Sequence, residues 1–218
     1  MRRILLGALL ITLFVSCGKS SEEKANALIE DDIKKVLYHP ETYDPAETQV
    51  DSAFTPFDDP VFYEKTVQLC KLGMSIDECD RKMKNAKSSM SIWSGPYQSA
   101  FGRNEYQEAK NEYDENERNK KSIEAKVQKL ATELKTMLEN EPQFIGFKAR
   151  HRYRANNNAG QTIFGEMKYL FDKSLSKIVT SYDMDCEEYK AVQIIYKQML
   201  GEDVVLESEE LDNSDFHK

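Results

Sequence analysis

Four cations stand at alternate positions near the middle of the second half of the chain: Lys148, Arg150, Arg152 and Arg154. In an extended strand, residues two apart point to the same face. Such a row would therefore present four charges roughly 6.5–7 Å apart along one edge of a sheet surface. Guanidinium forks in that arrangement grip carboxylates or sulfates, which suggests an anion or acidic-glycan site. The plainer and favoured reading is an exposed sheet face whose charges are balanced by Glu166 on the next strand and by acidic helices or the tail. His151 falls on the opposite, apolar side of the same strand, where a buried and hydrogen-bonded histidine is the expected state. The remaining reactive groups are Cys17, Cys70, Cys79 and Cys186. No Cys-x-x-Cys spacing occurs, so a zinc or redox motif has no support, and no Gly-x-Ser-x-Gly is present. A nucleophile built from Cys186 and His151 would depend wholly on long-range geometry. Asp183-Met184-Asp185-Cys186-Glu187-Glu188 is acidic, yet it lacks the glycine and spacing of a calcium loop. No cofactor is expected.

Elements of two periods must position these groups. Ser20-x-x-Glu23 reads as a capping box opening a helix over 22–37, with Leu28, Ile29, Ile33, Val36 and Leu37 on its apolar face. His39-Pro40 would end it. Alternation predicts a short strand at 47–54. A helix over 61–72 should stop at Gly73, and Ser75 with Glu78 should start another. That corner would bring Cys70 and Cys79 together, making them the candidate disulfide and leaving Cys186 as a free thiol. Residues 88–104, with Trp93, Tyr97 and Phe101, read as a loop pinned to the core by its rings. The strongest helical signal spans 104–141, where apolar ends flank a polar middle that leaves one helix or two open. From Pro142 onward the period becomes 2, giving strands at 144–154, 161–171 and 177–182 joined by turns at 156–160 and 172–176. A last helix is expected with Asp185 as its cap and Glu188 at N3, ending at Gly201. Residues 201–218 form an acidic tail expected to be solvated.

These elements predict an α+β fold. A small antiparallel sheet of three to four strands, mostly C-terminal, packs against helices over 22–200, with a helical middle at 60–141 that includes the long helix. About 200 residues suffice for a core of their own.

The start of the chain carries an address. Met1-Arg2-Arg3 precedes an apolar run of about a dozen residues, too short to span a ~30 Å hydrocarbon layer as a helix. It reads as a signal-peptide core. Phe14-Val15-Ser16-Cys17 resembles the lipobox of bacterial lipoproteins, with Phe14 in place of the usual leucine. The resemblance implies a signal peptide at 1–16, acylation of Cys17 and a short tether at 17–21. Removing residues 1–16 takes the formal net charge from −8 to about −10. So acidic a chain argues against nucleic acid as a partner and against a polybasic membrane-binding face.

Together with this lipobox, the following stretches resemble small, functionally uncharacterised lipoproteins of the Bacteroidota. They are Leu37-Tyr38-His39-Pro40-Glu41-Thr42-Tyr43, Val50-Asp51-Ser52, and His151-Arg152-Tyr153-Arg154-Ala155-Asn156 through Gly160. The likeness covers the ends of the chain, and 60–140 reads as an insertion. It implies the cell envelope, at the outer membrane, with the periplasmic or surface face open, and it implies no catalytic residue. The expected function is a non-catalytic binding or accessory module for a partner protein or an anionic glycan, attached to the membrane through its lipid. The alternatives are an envelope enzyme using Cys186 and a structural spacer built on the long helix.

Overall fold

A computed structural model describes residues 20–95 and 99–202. The lipobox with Cys17 and the tail from 203 onward lie outside the described residues. The fold is α+β, as the sequence predicts. Its elements run α1 (Ser21–Ile33), β1 (His39–Phe54), α2 (Pro60–Trp93), α3 (Ala100–Glu139), β2 (Phe144–Asn156), β3 (Thr162–Phe171), β4 (Ile178–Asp183) and α4 (Glu187–Met199). The four strands form one antiparallel sheet in the order β1-β2-β3-β4.

Helix α1 starts at the expected capping box. Ser20 Oγ accepts from Glu23 N (3.1 Å), and Ser20 N donates back to the Glu23 carboxylate (2.8 Å). Ala25, Ile29 and Ile33 are its buried stripe. It ends four residues earlier than the spacing predicts, because Val36 stays in solvent and adds nothing to the core. Strand β1 begins eight residues before the expected 47. It carries Pro40 and Pro45, which an edge strand tolerates because no ladder bond is lost on its open side. Register shifts between His39 and Asp44 and between Pro45 and Glu47 absorb them.

The predicted corner at Gly73 does not form, and α2 is one continuous helix of 34 residues. Ser75 Oγ donates to Lys71 O (2.9 Å) within the helix instead of capping a new one. Pairing with α3 along the helix outweighs the roughly 1 kcal/mol that an interior glycine costs. The Cys70–Cys79 bridge is overturned with the corner. The two lie nine residues apart on one helix, about 13.5 Å along its axis, where a disulfide needs Cα atoms within roughly 7 Å. Cys70, Cys79 and Cys186 are all free thiols. A Cβ added at Gly73 would meet nothing within 4 Å. Gly73→Ala is therefore expected to stabilise the protein by about 0.5–1 kcal/mol in urea unfolding. A loss of stability would restore the corner.

The loop expected at 88–104 shrinks to a short connection, because α2 runs on to Trp93 and Ser99 caps α3 through Gly102 N (3.0 Å). The long helix is single, spanning Ala100–Glu139. Its polar middle is explained by its neighbour. Asn116 is buried and donates to Glu112 O (2.8 Å), and Lys120 reaches across to Asp80 on α2 (2.6 Å). Nearer the body, Lys65 pairs with Glu133. Gly102, Ala109 and Asn116, seven residues apart, and Leu130 and Leu134, four apart, are the buried positions of α3 along its seam with α2, the arrangement of a two-stranded antiparallel coiled coil within the chain.

Two cores flank the sheet. On one face α1 packs Ala25 and Ile29 against Ala149, Tyr169, Phe171 and Leu175. On the other, Phe62, Tyr63 and Val67 of α2 meet Leu130 and Leu134 of α3 and Tyr189, Val192 and Tyr196 of α4. Helix α4 starts one residue later than expected. Cys186, not Asp185, is its N-cap, its Sγ accepting from Tyr189 N at 3.4 Å.

Candidate functional site

Antiparallel pairing decides which side chains share a face. In β2, Phe147, Ala149, His151 and Tyr153 oppose Ser52, Val50, Thr48 and Pro45 of β1 on the α1 side. Lys148, Arg150, Arg152 and Arg154 therefore share the opposite face, as the alternation predicts. There they meet acids at every position. Lys148 Nζ donates to Asp58 (2.9 Å), and Lys168 Nζ from β3 donates to the other oxygen of the same carboxylate (2.8 Å). Arg150 pairs with Glu166, Arg152 lies 3.7 Å from Glu47, and Arg154 grips Asp44 at 2.5 Å. With Asp51 opposite Lys148 in the register, five cations on this face meet five carboxylates. The face is a cross-strand ion-pair ladder, in which the acids already take the place of an anionic ligand.

A shallow pocket of about 230 Å³ sits on the ladder between Gln49, Asp51, Lys148, Arg150, Lys168 and Tyr189. Asp58 and Lys168 are the members that sequence reading missed. Asp58 stands just before the Asp59 cap of α2, whose Oδ1 accepts from Val61 N (2.8 Å). An acid beside a helix start reads as a second capping group, and only the turn at 55–58 aims it at β2. Burial by itself would raise the Asp58 carboxyl. The Lys168 ammonium outweighs it, with help from Lys148 and Phe54 N, and holds the group below its ordinary range.

His151 is fully buried. Its Nε2 lies 3.0 Å from Tyr43 Oη and its Nδ1 2.9 Å from Thr48 Oγ1, so a neutral ring donates through one nitrogen and accepts at the other. Tyr153 stacks on it at 5.9 Å. This is the satisfied core histidine that its place on the apolar face predicts. Burial lowers its pKa and pushes the Tyr43 hydroxyl up to about 12. A depressed histidine pKa contributes stability that is present above the unfolded value near 6.5 and lost as pH falls through the folded one. The urea midpoint should therefore fall between pH 7.5 and pH 5. His151→Gln, which keeps both hydrogen bonds and cannot charge, should flatten that limb, and an unchanged slope would remove His151 as its cause.

Cys186 sits on the far side of the sheet, against the cluster of Tyr63, Tyr189 and their neighbours. The structure does not bring it to His151, whose partners are Tyr43 and Thr48. Among the described residues no three His, Cys, Asp or Glu side chains are grouped to hold a metal ion, and no helix is long and apolar enough to cross a membrane.

The remaining feature is the α2–α3 hairpin. Leu72 is the outermost α2 residue packed on the helical core, and Leu130 is the outermost of α3. From Leu72 to Trp93 the paired helices run about 30 Å past the two core clusters, and among the described residues they pack chiefly on each other. At the tip Ile92 and Phe101 are 71% and 62% exposed, while Trp93 lies against Gly102. Comparison with known protein families, with curated proteins and with solved structures found no match, so any reading of function rests on this chain's own residues and geometry.

Proposed function

We propose that the chain is a lipid-anchored envelope protein, tethered through Cys17, that acts as a non-catalytic binding module for a partner protein reached by the α2–α3 arm. The observation that carries this reading is the arm itself. A two-helix projection of about 30 Å adds nothing to either core beyond its base, and its narrow seam covers only one stripe of each helix. Its outer surface is polar, which suits an element held in water, and its apolar end residues suit a small contact. The anionic-glycan reading is the weaker one, because each cation of the basic row already has an acidic partner. An enzyme using Cys186 is the weaker reading too, because His151 is held by Tyr43 and Thr48 and Cys186 packs with the other core.

The test shortens the arm without changing its ends. Removing 76–89 and 106–119 takes two heptads from each helix, preserves the seam and keeps the tip, for a loss of roughly 21 Å of reach. A photo-crosslinker placed at Ile92 or Phe101 should capture an envelope partner in the full-length protein. The shortened protein, with an unchanged sheet and both cores, should lose that adduct at least about tenfold, a difference of roughly 1.4 kcal/mol. Equal capture by both proteins would show that reach does not matter and would end the arm reading.

A further inference from the structure

The basic row of β2 is answered from within the chain, but the charges at the outer end of the arm are not. The seam between α2 and α3 includes Met83, Met90, Gly102, Tyr106 and Tyr113, each buried or half-buried. Glu105, Glu108, Glu112 and Glu115 stand one before and two after the two seam tyrosines. Steps of three and four keep all four on one flank of α3, in a line of roughly 15 Å. Lys84 and Lys87 follow Met83 by one and four, Lys110 follows Tyr106 by four, and Arg103 follows Gly102 by one, which places them on the other flank. Because the helices run antiparallel with their seams facing, the same flank of each falls on the same face of the hairpin. Contacts of Trp93 with Gly102 and of Lys120 with Asp80 fix the register, so Lys84 lies about level with Glu115. From that level outward, one face of the arm carries four carboxylates and no cation. The other carries Lys84, Lys87, Lys110 and Arg103, with Asp114 as its one acid.

Among the described residues the ion pairs of the arm lie nearer its base. They join Lys82 to Glu78 (2.8 Å), Lys120 to Asp80 (2.6 Å) and Glu124 (4.0 Å), and Lys121 to Glu117 (3.4 Å). Lys82 and Glu117, which border the two faces with the opposite sign, are thus already taken. Glu108 accepts from the Asn104 amide (2.7 Å), a neutral donor that leaves its charge in place. Glu108, Glu112, Glu115, Lys84, Lys87 and Lys110 are all exposed. Like charges three and four apart along a helix repel, and a facing row of opposite sign relieves that repulsion. A second copy of the chain carries such a row, at the same level of its own arm. We propose that the acidic face of one arm docks on the basic face of another copy's arm. The two faces are different surfaces, so the contact is heterologous, and an engaged arm keeps one face open for a further copy. This contact uses the sides of the arm and does not rest on a different protein held at its tip.

The test mixes equal amounts of isotope-labelled and unlabelled full-length protein and treats the mixture with a carbodiimide, which joins a carboxylate to a lysine amine in direct contact. Peptides linking Glu105, Glu108, Glu112 or Glu115 to Lys84, Lys87 or Lys110 should carry one labelled and one unlabelled partner at the statistical share for links between copies. Salt at about 1 M, where the Debye length is about 3 Å, should lower their yield at least about tenfold. One variant carries Glu105→Lys, Glu108→Lys and Glu112→Lys, and a second carries Lys84→Glu, Lys87→Glu and Lys110→Glu. Each alone should lose the links between copies, and a mixture of the two should regain them at the exchanged positions. Unchanged helicity by circular dichroism checks that both variants fold. Links found only within one label, or mixed-label links that survive charge reversal, would overturn the proposal. So would two folded variants whose mixture regains nothing.

Discussion

Asp58→Ala is expected to destabilise the protein by about 3–5 kcal/mol, the cost of removing one partner from a buried ion pair. The carboxylate is only 7% exposed and receives three donors, Lys148 Nζ, Lys168 Nζ and Phe54 N. Without it two ammonium groups face each other in a poorly solvated position, and a backbone N–H loses its acceptor. Lys148 is about one-third open to water, which screens its share and places the loss toward the lower end of the range. The pH dependence follows from the lowered carboxyl pKa. Stability from Asp58 is present above the unfolded value near 3.9 and lost as pH falls through the folded value. Acid unfolding of the unaltered protein should therefore include a limb below about pH 4, absent in Asp58→Ala. Urea unfolding at pH 7 measures the main effect, and a loss below about 1 kcal/mol would show that the triad is dispensable.

Gly146→Ala should be nearly as damaging. At φ 149° the backbone lies where side chains are rarely accommodated, and an added Cβ would fall 2.1 Å from Phe171 O and 3.1 Å from the Asp172 carbonyl carbon. Both obstacles are backbone, so neither can swing away, and strand β2 would have to move off β3. Strain at such a dihedral costs about 1–3 kcal/mol and overpacking adds a similar amount. A total of about 2–5 kcal/mol in denaturant unfolding is expected, with the loss traced to the sheet by faster amide exchange in β2 and β3. A mild effect, comparable to substitution at an unobstructed position such as Gly73, would show that the strands part easily there.

The two positions also show where sequence reading stops. Gly146 falls within the strand that period-2 alternation predicts at 144–154, yet nothing local marks it as the point where another strand's carbonyl approaches. Asp58 was legible only as an acid near a helix start. Its role depends on Lys148 and Lys168, which are 90 and 110 residues away and meet it only once the strands are paired. Cys70 and Cys79 show the opposite error. Glycine and serine at 73–75 satisfied every local rule for a corner, and a partner helix overrode them by pairing with α2 along its length.

The sequence by itself determined the α+β class, the C-terminal strands, the capping box at Ser20, the alternation that divides the basic row from His151, and the helical character of 104–141. All of these follow from period and from contacts within one turn or one strand, which the chain order encodes directly. Glu166 is legible in the sequence as a counter-charge on the next strand, but only the tertiary structure decided that it answers Arg150, that Asp58, Glu47 and Asp44 answer the cations at 148, 152 and 154, and that the long helix packs against α2. Those outcomes depend on register and on which distant segments meet. A basic row looks like a binding site in one dimension because its counter-charges arrive from strands and turns that the linear order keeps up to 110 residues away.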